Sequence, residues 1–198
     1  MLLSALLFAT AVVRAQDWGS SPQAYFMTKT ERAQWAAIKG DANAQEFIER
    51  FLASRGPDFE SEVATRAAIA DKYLTLGKTA GSKSIRGKVI ILLGPPKAMS
   101  VADREVQGDP SQTTGAYMNA TADGGMSVTD VSDAARRAGM SGKLLREYTF
   151  SYPDFAVTVE ADTATGSDRV PDSKQAAALE KLFESAAEAP IAVTGPKQ

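Results

Sequence analysis

The chain has 198 residues, 44% hydrophobic and 23% charged, with 22 basic against 24 acidic side chains and a net charge of −2; such material builds one domain-sized core. No block of like charge is present, which argues against a nucleic-acid partner. Cysteine and histidine are both absent, which excludes disulfides, Ser-His-Asp and Cys-His mechanisms and the commonest zinc ligands, leaving carboxylates, Lys, Tyr and Ser for any catalysis.

The first fifteen residues, MLLSALLFATAVVRA, hold an apolar run of twelve from Leu2 to Val13, followed by Arg14 and Ala15. Short side chains at Val13 and Ala15 suit signal peptidase, so a signal peptide over 1–15 and export to the periplasm or beyond are expected, although no basic n-region precedes the run. About 20 apolar residues are needed to span a bilayer, so no transmembrane anchor is expected after cleavage. Loss of Arg14 leaves 21 basic against 24 acidic residues, a net charge of −3. Residues 16–193 then form a single domain, with a flexible tail over 194–198.

A polar lead from Gln16 to Gln23 precedes Thr28-Lys29-Thr30-Glu31, a capping-box spacing that predicts a helix starting at about Thr28. Trp35 and Ile38 share a face, and Gly40 ends the helix. Asp41 or Asn43 can cap the next one, where Phe47, Ile48, Phe51 and Leu52 form a buried stripe that Gly56-Pro57 stops. A third helix begins near Asp58, with Phe59, Val63, Ala67, Ala70, Tyr73 and Leu74 in period and Gly77 as its C-terminal signal. Lys88–Leu93, KVIILL, is a short β-branched and aliphatic run between Gly87 and Gly94-Pro95-Pro96, which predicts a strand buried on both faces. Gly108–Gly125 reads as a long loop, and Val131–Ala138 as a short helix. Leu144–Tyr152 and Phe155–Ala161 alternate around Pro153-Asp154, which predicts an antiparallel hairpin. Last, Ser173–Ala187 places Ala176, Leu179, Leu182, Phe183 and Ala186 on one helix face, ended by Pro190. Helices precede strands, so the expected class is α+β: an N-terminal helical layer on a small, mainly antiparallel sheet, with a C-terminal amphipathic helix.

Gly77-Lys78-Thr79 spells the end of a phosphate-binding loop, yet Lys72 stands where that loop's first glycine belongs. The element order also fails, because the loop must follow a strand and open a helix. Gly77 and Lys78 are better read as capping residues of the third helix.

The stretch Gly81–Pro96, GSKSIRGKVIILLGPP, resembles the signature of the GWxTD-domain family, exported bacterial proteins of uncharacterised function. Tyr25-Phe26-Met27-Thr28 with Glu31-Arg32 is similar to that family's opening helix. Phe47-Ile48, Phe51-Leu52 and Arg55-Gly56-Pro57 are similar to its next elements. The match runs over 25–99, and more loosely over the hairpin at 144–159. Ser82 and Ile85 replace the name-giving Trp and Asp, while Arg86, Gly87, Gly94 and Pro95 match, as do Arg55 and Pro57. Read physically, Gly87 allows a turn into the strand and Gly94-Pro95 terminates it.

Arg86 beside a buried strand is either a structural anchor paired with Asp71 or Glu62, or an anion contact, and Arg55 and Arg66 admit the same two accounts. Ser82-Lys83-Ser84 lacks the burial a Ser-Lys nucleophile needs. Glu60 and Glu62 point differently on a helix and form no glycosidase pair, although distant carboxylates leave no local signature. Asp123-Gly124-Gly125 lacks the ligand spacing of a calcium loop. No metal or cofactor is called for, and no catalytic residue. The Tyr148, Phe150, Tyr152 stripe reads as a sheet face covered by the last helix. The expected function is a noncatalytic module binding a protein or cell-envelope partner, with Gly108–Gly125 as its adaptable surface. The alternatives are a hydrolase using a carboxylate pair and a small-anion binder built on Arg86, Lys83 and Ser84. Oligomeric state leaves no mark in these patterns.

Overall fold

The computed structural model describes residues 15–106 and 143–192. The expected leader up to residue 14, loop Gly108–Gly125, helix Val131–Ala138 and tail 194–198 lie outside them. Two 3-10 turns (Ala15–Ser20 and Gln23–Phe26) lead into α1 (Lys29–Ala37), α2 (Asp41–Arg55) and α3 (Phe59–Leu74). A 3-10 turn at Gly81–Lys83 precedes α4 (Ile85–Leu93), followed by β1 (Ala98–Val106), β2 (Lys143–Ser151), β3 (Ala156–Asp162), β4 (Asp168–Arg169) and α5 (Ser173–Glu188). The fold is α+β, with one antiparallel sheet in the order β1-β2-β3-β4.

The capping box forms as its spacing requires: Thr28 Oγ1 accepts from Glu31 N at 3.2 Å, and Glu31 Oε2 accepts from Thr28 N at 2.7 Å. For α2 the cap differs from the expected Asp41 or Asn43. Gly40 takes the N-cap position at φ 88°, leaving Asp41 in the first turn to complement the helix dipole. α3 ends at Leu74, three residues before Gly77. Gly77, at φ 59°, instead sits in a two-residue turn closed by paired backbone hydrogen bonds between Leu76 and Thr79 at 3.1 Å, so neither it nor Lys78 caps the helix. Tyr73 is 58% exposed, off the face that Phe59, Val63, Ala70 and Leu74 bury.

Lys88–Leu93 is not a strand. It is the body of α4, capped by Ser84, whose Oγ accepts from Gly87 N at 3.0 Å, and closed by Gly94 at φ 82°, whose N–H donates to Ile90 O at 2.9 Å. Val89, Ile90, Ile91 and Leu92 are all buried. A helix enclosed on every side has no polar face, so its run shows no 3.6-residue period and is indistinguishable from a buried strand by pattern. Gly87 accordingly does not turn the chain into a strand. A Cβ on it would lie 1.9 Å from Gly81 O, and a Cβ on Gly81 would lie 1.9 Å from Ala70 O. α4, the 3-10 turn and α3 thus stack backbone against backbone.

The polar lead also hides a core residue. Trp18 is buried, edge-on to Trp35 and Phe51 at 5.2 and 5.3 Å between ring centroids. These aromatics join one apolar cluster with α4, the Tyr148, Phe150, Val157 and Val159 face of the sheet, and Leu179 and Phe183 of α5. The expected hairpin and its inward stripe hold, with Tyr148 opposite Val159 and Phe150 opposite Val157. β1 matches no expected element.

Candidate functional site

Arg86 is the second residue of α4 and its side chain is fully buried. Its partner is neither Asp71 nor Glu62 but Asp168, at the start of β4: Nε lies 2.9 Å from Oδ1, and the Arg86 backbone N–H donates to Oδ2 at 3.0 Å. Nη2 donates to Gly166 O at 3.4 Å, and the guanidinium lies 4.9 Å from the Tyr148 ring centroid. Asp168 therefore neutralises the buried cation and also serves an orphan N–H of α4's first turn. The two expected partners are engaged elsewhere, Asp71 by Ser82 N at 2.7 Å and Glu62 by Arg66 Nε at 2.8 Å. Both expected partners lie on the preceding helix, whereas Asp168 comes 82 residues after Arg86.

The three residues proposed for an anion do not converge. Lys83 is exposed, Arg86 is sealed against Asp168, and Ser84 is buried with its hydroxyl donating to Gly81 O at 2.6 Å while capping α4. Arg55 and Arg66 tie segments together in the same manner. Arg55 donates to Ala187 O and Phe26 O at 3.0 Å each, pairs with Glu31 Oε2 at 2.6 Å, and covers the Phe51 ring at 4.6 Å. Arg66, paired with Glu62 one helical turn away, donates to Ile91 O at 3.0 Å and also to Ala192 O. Each guanidinium meets a carbonyl near a helix C-terminus, where a cation complements the dipole. Pro57 is exposed just after Gly56, which takes φ 90°.

On the sheet face away from the core, Glu160 is buried between two arginines. Arg169 Nε donates to its Oε2 at 2.8 Å, and Arg104 Nη2 pairs with its Oε1. Glu147 stands directly opposite on β2. Both Glu160 oxygens accept from guanidinium groups, which leaves neither free to act on a bond. Glu60 is exposed and Glu62 is spent on Arg66. Among the described residues no three acidic side chains gather as a metal would require. Burial holds the Tyr152 hydroxyl well above the ordinary phenol range and, with the Asp71 carboxylate, raises that of Tyr25, and both donate to backbone carbonyls, Gly94 O and Ser82 O, at 2.9 Å. Burial lowers Lys88, whose Nζ lies 4.5 Å from the Phe183 ring centroid.

Two surface features remain. An apolar cleft of about 330 Å³ lies between the end of α4, the β2–β3 turn and the end of α5, lined by Phe26, Leu93, Phe155, Leu182 and Ile191 over Arg66. The other is β1, an edge strand of nine residues with no strand on its outer side among the described residues. Met99 and Val101 on it are 39% and 49% exposed. Its alternation in AMSVADREV is the signal that could have found it, diluted by two alanines and a charged end. The chain was compared with protein-family models, with curated proteins and with solved structures, and none of them matches it.

Proposed function

We propose that this is a noncatalytic, exported interaction module of the GWxTD-domain type, which binds a protein or cell-envelope partner through the outer edge of β1. The observation that carries the reading is the length and exposure of that edge. Nine residues of extended backbone offer a row of N–H and C=O groups, and a partner segment adding a strand would satisfy them while Met99 and Val101 supply apolar anchors. The buried polar groups support it indirectly, since Arg55, Arg66, Arg86 and Glu160 are consumed in holding the fold.

A photo-crosslinking side chain placed at Ser100, with the protein exposed to envelope extract, tests this reading. Specific adducts at 100 that disappear in Val101→Lys are expected. Equal labelling from a probe at the exposed Tyr73 would refute it.

A further inference from the structure

We infer that the partner at the β1 edge is a second copy of this chain, paired antiparallel about a two-fold axis at Ser100; the inference rests on the edge reading above. The residues from Lys97 to Asp103 read KAMSVAD, and all seven are exposed. A two-fold axis normal to the sheet keeps each side chain on its own face, so the pairing must centre on a residue. Centred on Ser100, Lys97 meets Asp103 of the copy, Ala98 meets Ala102, Met99 meets Val101, and Ser100 meets itself. In every row but the central Ser100 pair, opposite charges or apolar groups then face each other, with Asp103 shared between Lys97 of the copy and Arg146 of its own sheet; this arrangement stabilises antiparallel pairs.

The neighbouring registers lack this match. Centring on Val101 sets Met99 against Asp103, centring on Ala102 sets Val101 against Asp103, and centring on Asp103 opposes two carboxylates. Centring on Ala98 sets Met99 against Lys97. Only the Ser100 register pairs Met99 with Val101. They lie beside Phe150 and Tyr148, the partners of Met99 and Val101 on β2, so the new row extends the apolar row of the sheet.

Among the described residues, the first half of the edge also lacks the devices that keep edge strands single. Its first five residues, Ala98 to Ala102, carry no charge, proline or bulge; Pro96 and Lys97 precede them, and Asp103, Arg104 and Glu105 place the guarding charges in the second half of the strand. An isologous contact of this kind closes on itself, giving a continuous sheet with β4 outermost on each side. β4 has two residues, too short an edge to propagate the assembly.

Sedimentation equilibrium of the full chain over a range of concentrations, together with a cysteine cross-link, tests the inference. The chain contains no cysteine, so Ser100→Cys introduces a single thiol at the axis. Directly opposed residues have Cβ atoms about 4.5–5.5 Å apart, near the reach of a disulfide. The wild type is expected to dimerise, Ser100→Cys to give a covalent dimer on mild oxidation where Tyr73→Cys does not, and Val101→Lys to weaken dimerisation by roughly tenfold or more with an unchanged circular dichroism spectrum. A wild type monomeric at every concentration, with no Ser100→Cys dimer, overturns self-pairing. If the Ser100 photoprobe then still labels a different protein, the edge reading survives alone; if it labels nothing, both fall. A dimer insensitive to Val101→Lys places the contact elsewhere and overturns the inference.

Discussion

Removing the Asp168 carboxylate should be among the most damaging single changes in the described fold. Arg86 is completely buried and its Nε is 2.9 Å from Asp168 Oδ1, a separation at which unit charges attract by roughly 6 kcal/mol at an effective dielectric of about 20. Most of that attraction offsets the desolvation of the two ions, so the pair contributes little compared with an apolar replacement. Asp168→Ala, however, leaves the guanidinium charged, buried and opposed only by Gly166 O and the Tyr148 ring, a situation that costs about 3–5 kcal/mol. It also strips an acceptor from the first turn of α4, adding about 1 kcal/mol by analogy with a lost cap. For a chain of this size the total of about 4–6 kcal/mol corresponds to roughly 8–24 °C in Tm. Urea denaturation followed by circular dichroism measures the loss, and Arg86→Met with Asp168→Ala should cost less than the two single changes added together, since neither orphaned charge then remains. An Asp168→Ala protein within about 1 kcal/mol of wild type would refute the assignment of Asp168 as the neutralising partner.

Gly87→Ala should destabilise by about 3 kcal/mol or more even though alanine is the better helix former, because the added Cβ would lie 1.9 Å from Gly81 O; thermal melting checks it, and a gain in Tm would show that the 3-10 turn yields. Ser84→Ala should cost about 1 kcal/mol through loss of the α4 cap, measured by the same melts, and Ser84→Asp should restore it. Tyr25 and Tyr152 are raised by burial above their ordinary 10.0, so their contribution is intact below pH 10 and is lost as pH rises toward the folded-state values, where the unfolded chain releases its phenol protons first. Denaturation across pH 9–11 should therefore show stability falling above 10, less steeply in Tyr25→Phe.

Patterns that depend on neighbours in sequence were legible, and those that depend on distant partners were not. The Thr28 capping box, the Phe47 and Phe51 stripe and the hairpin around Pro153 are each set by residues within a few positions of one another. Trp18 escaped because the residues around it are polar and its partners Trp35 and Phe51 belong to two later helices. For the candidate site, Arg86, Arg66 and Arg55 were recognisable as cations needing partners, because burial of a charge demands one. The acceptors could not be named from spacing, since they include backbone carbonyls at Ile91, Ala187 and Gly166 as well as Asp168.

That Lys88–Leu93 is helical and not a strand bears on where a partner can bind. As a strand, this run would have been buried in the middle of the sheet and its ends would have been the signature's whole meaning. As α4 it leaves the sheet and packs against it, with Gly87 and Gly81 bringing it onto α3, and the sheet begins only at Ala98. Among the described residues β1 then has a neighbour on one side, β2, and its outer backbone groups face away from it. The glycine and serine that make the apolar run helical thus also expose the edge at Met99 and Val101. A variant that loosens α4, such as Gly87→Ala, should weaken folding and edge pairing together, whereas Val101→Lys should separate them, losing the concentration dependence of the melt while keeping the circular dichroism spectrum of the folded chain.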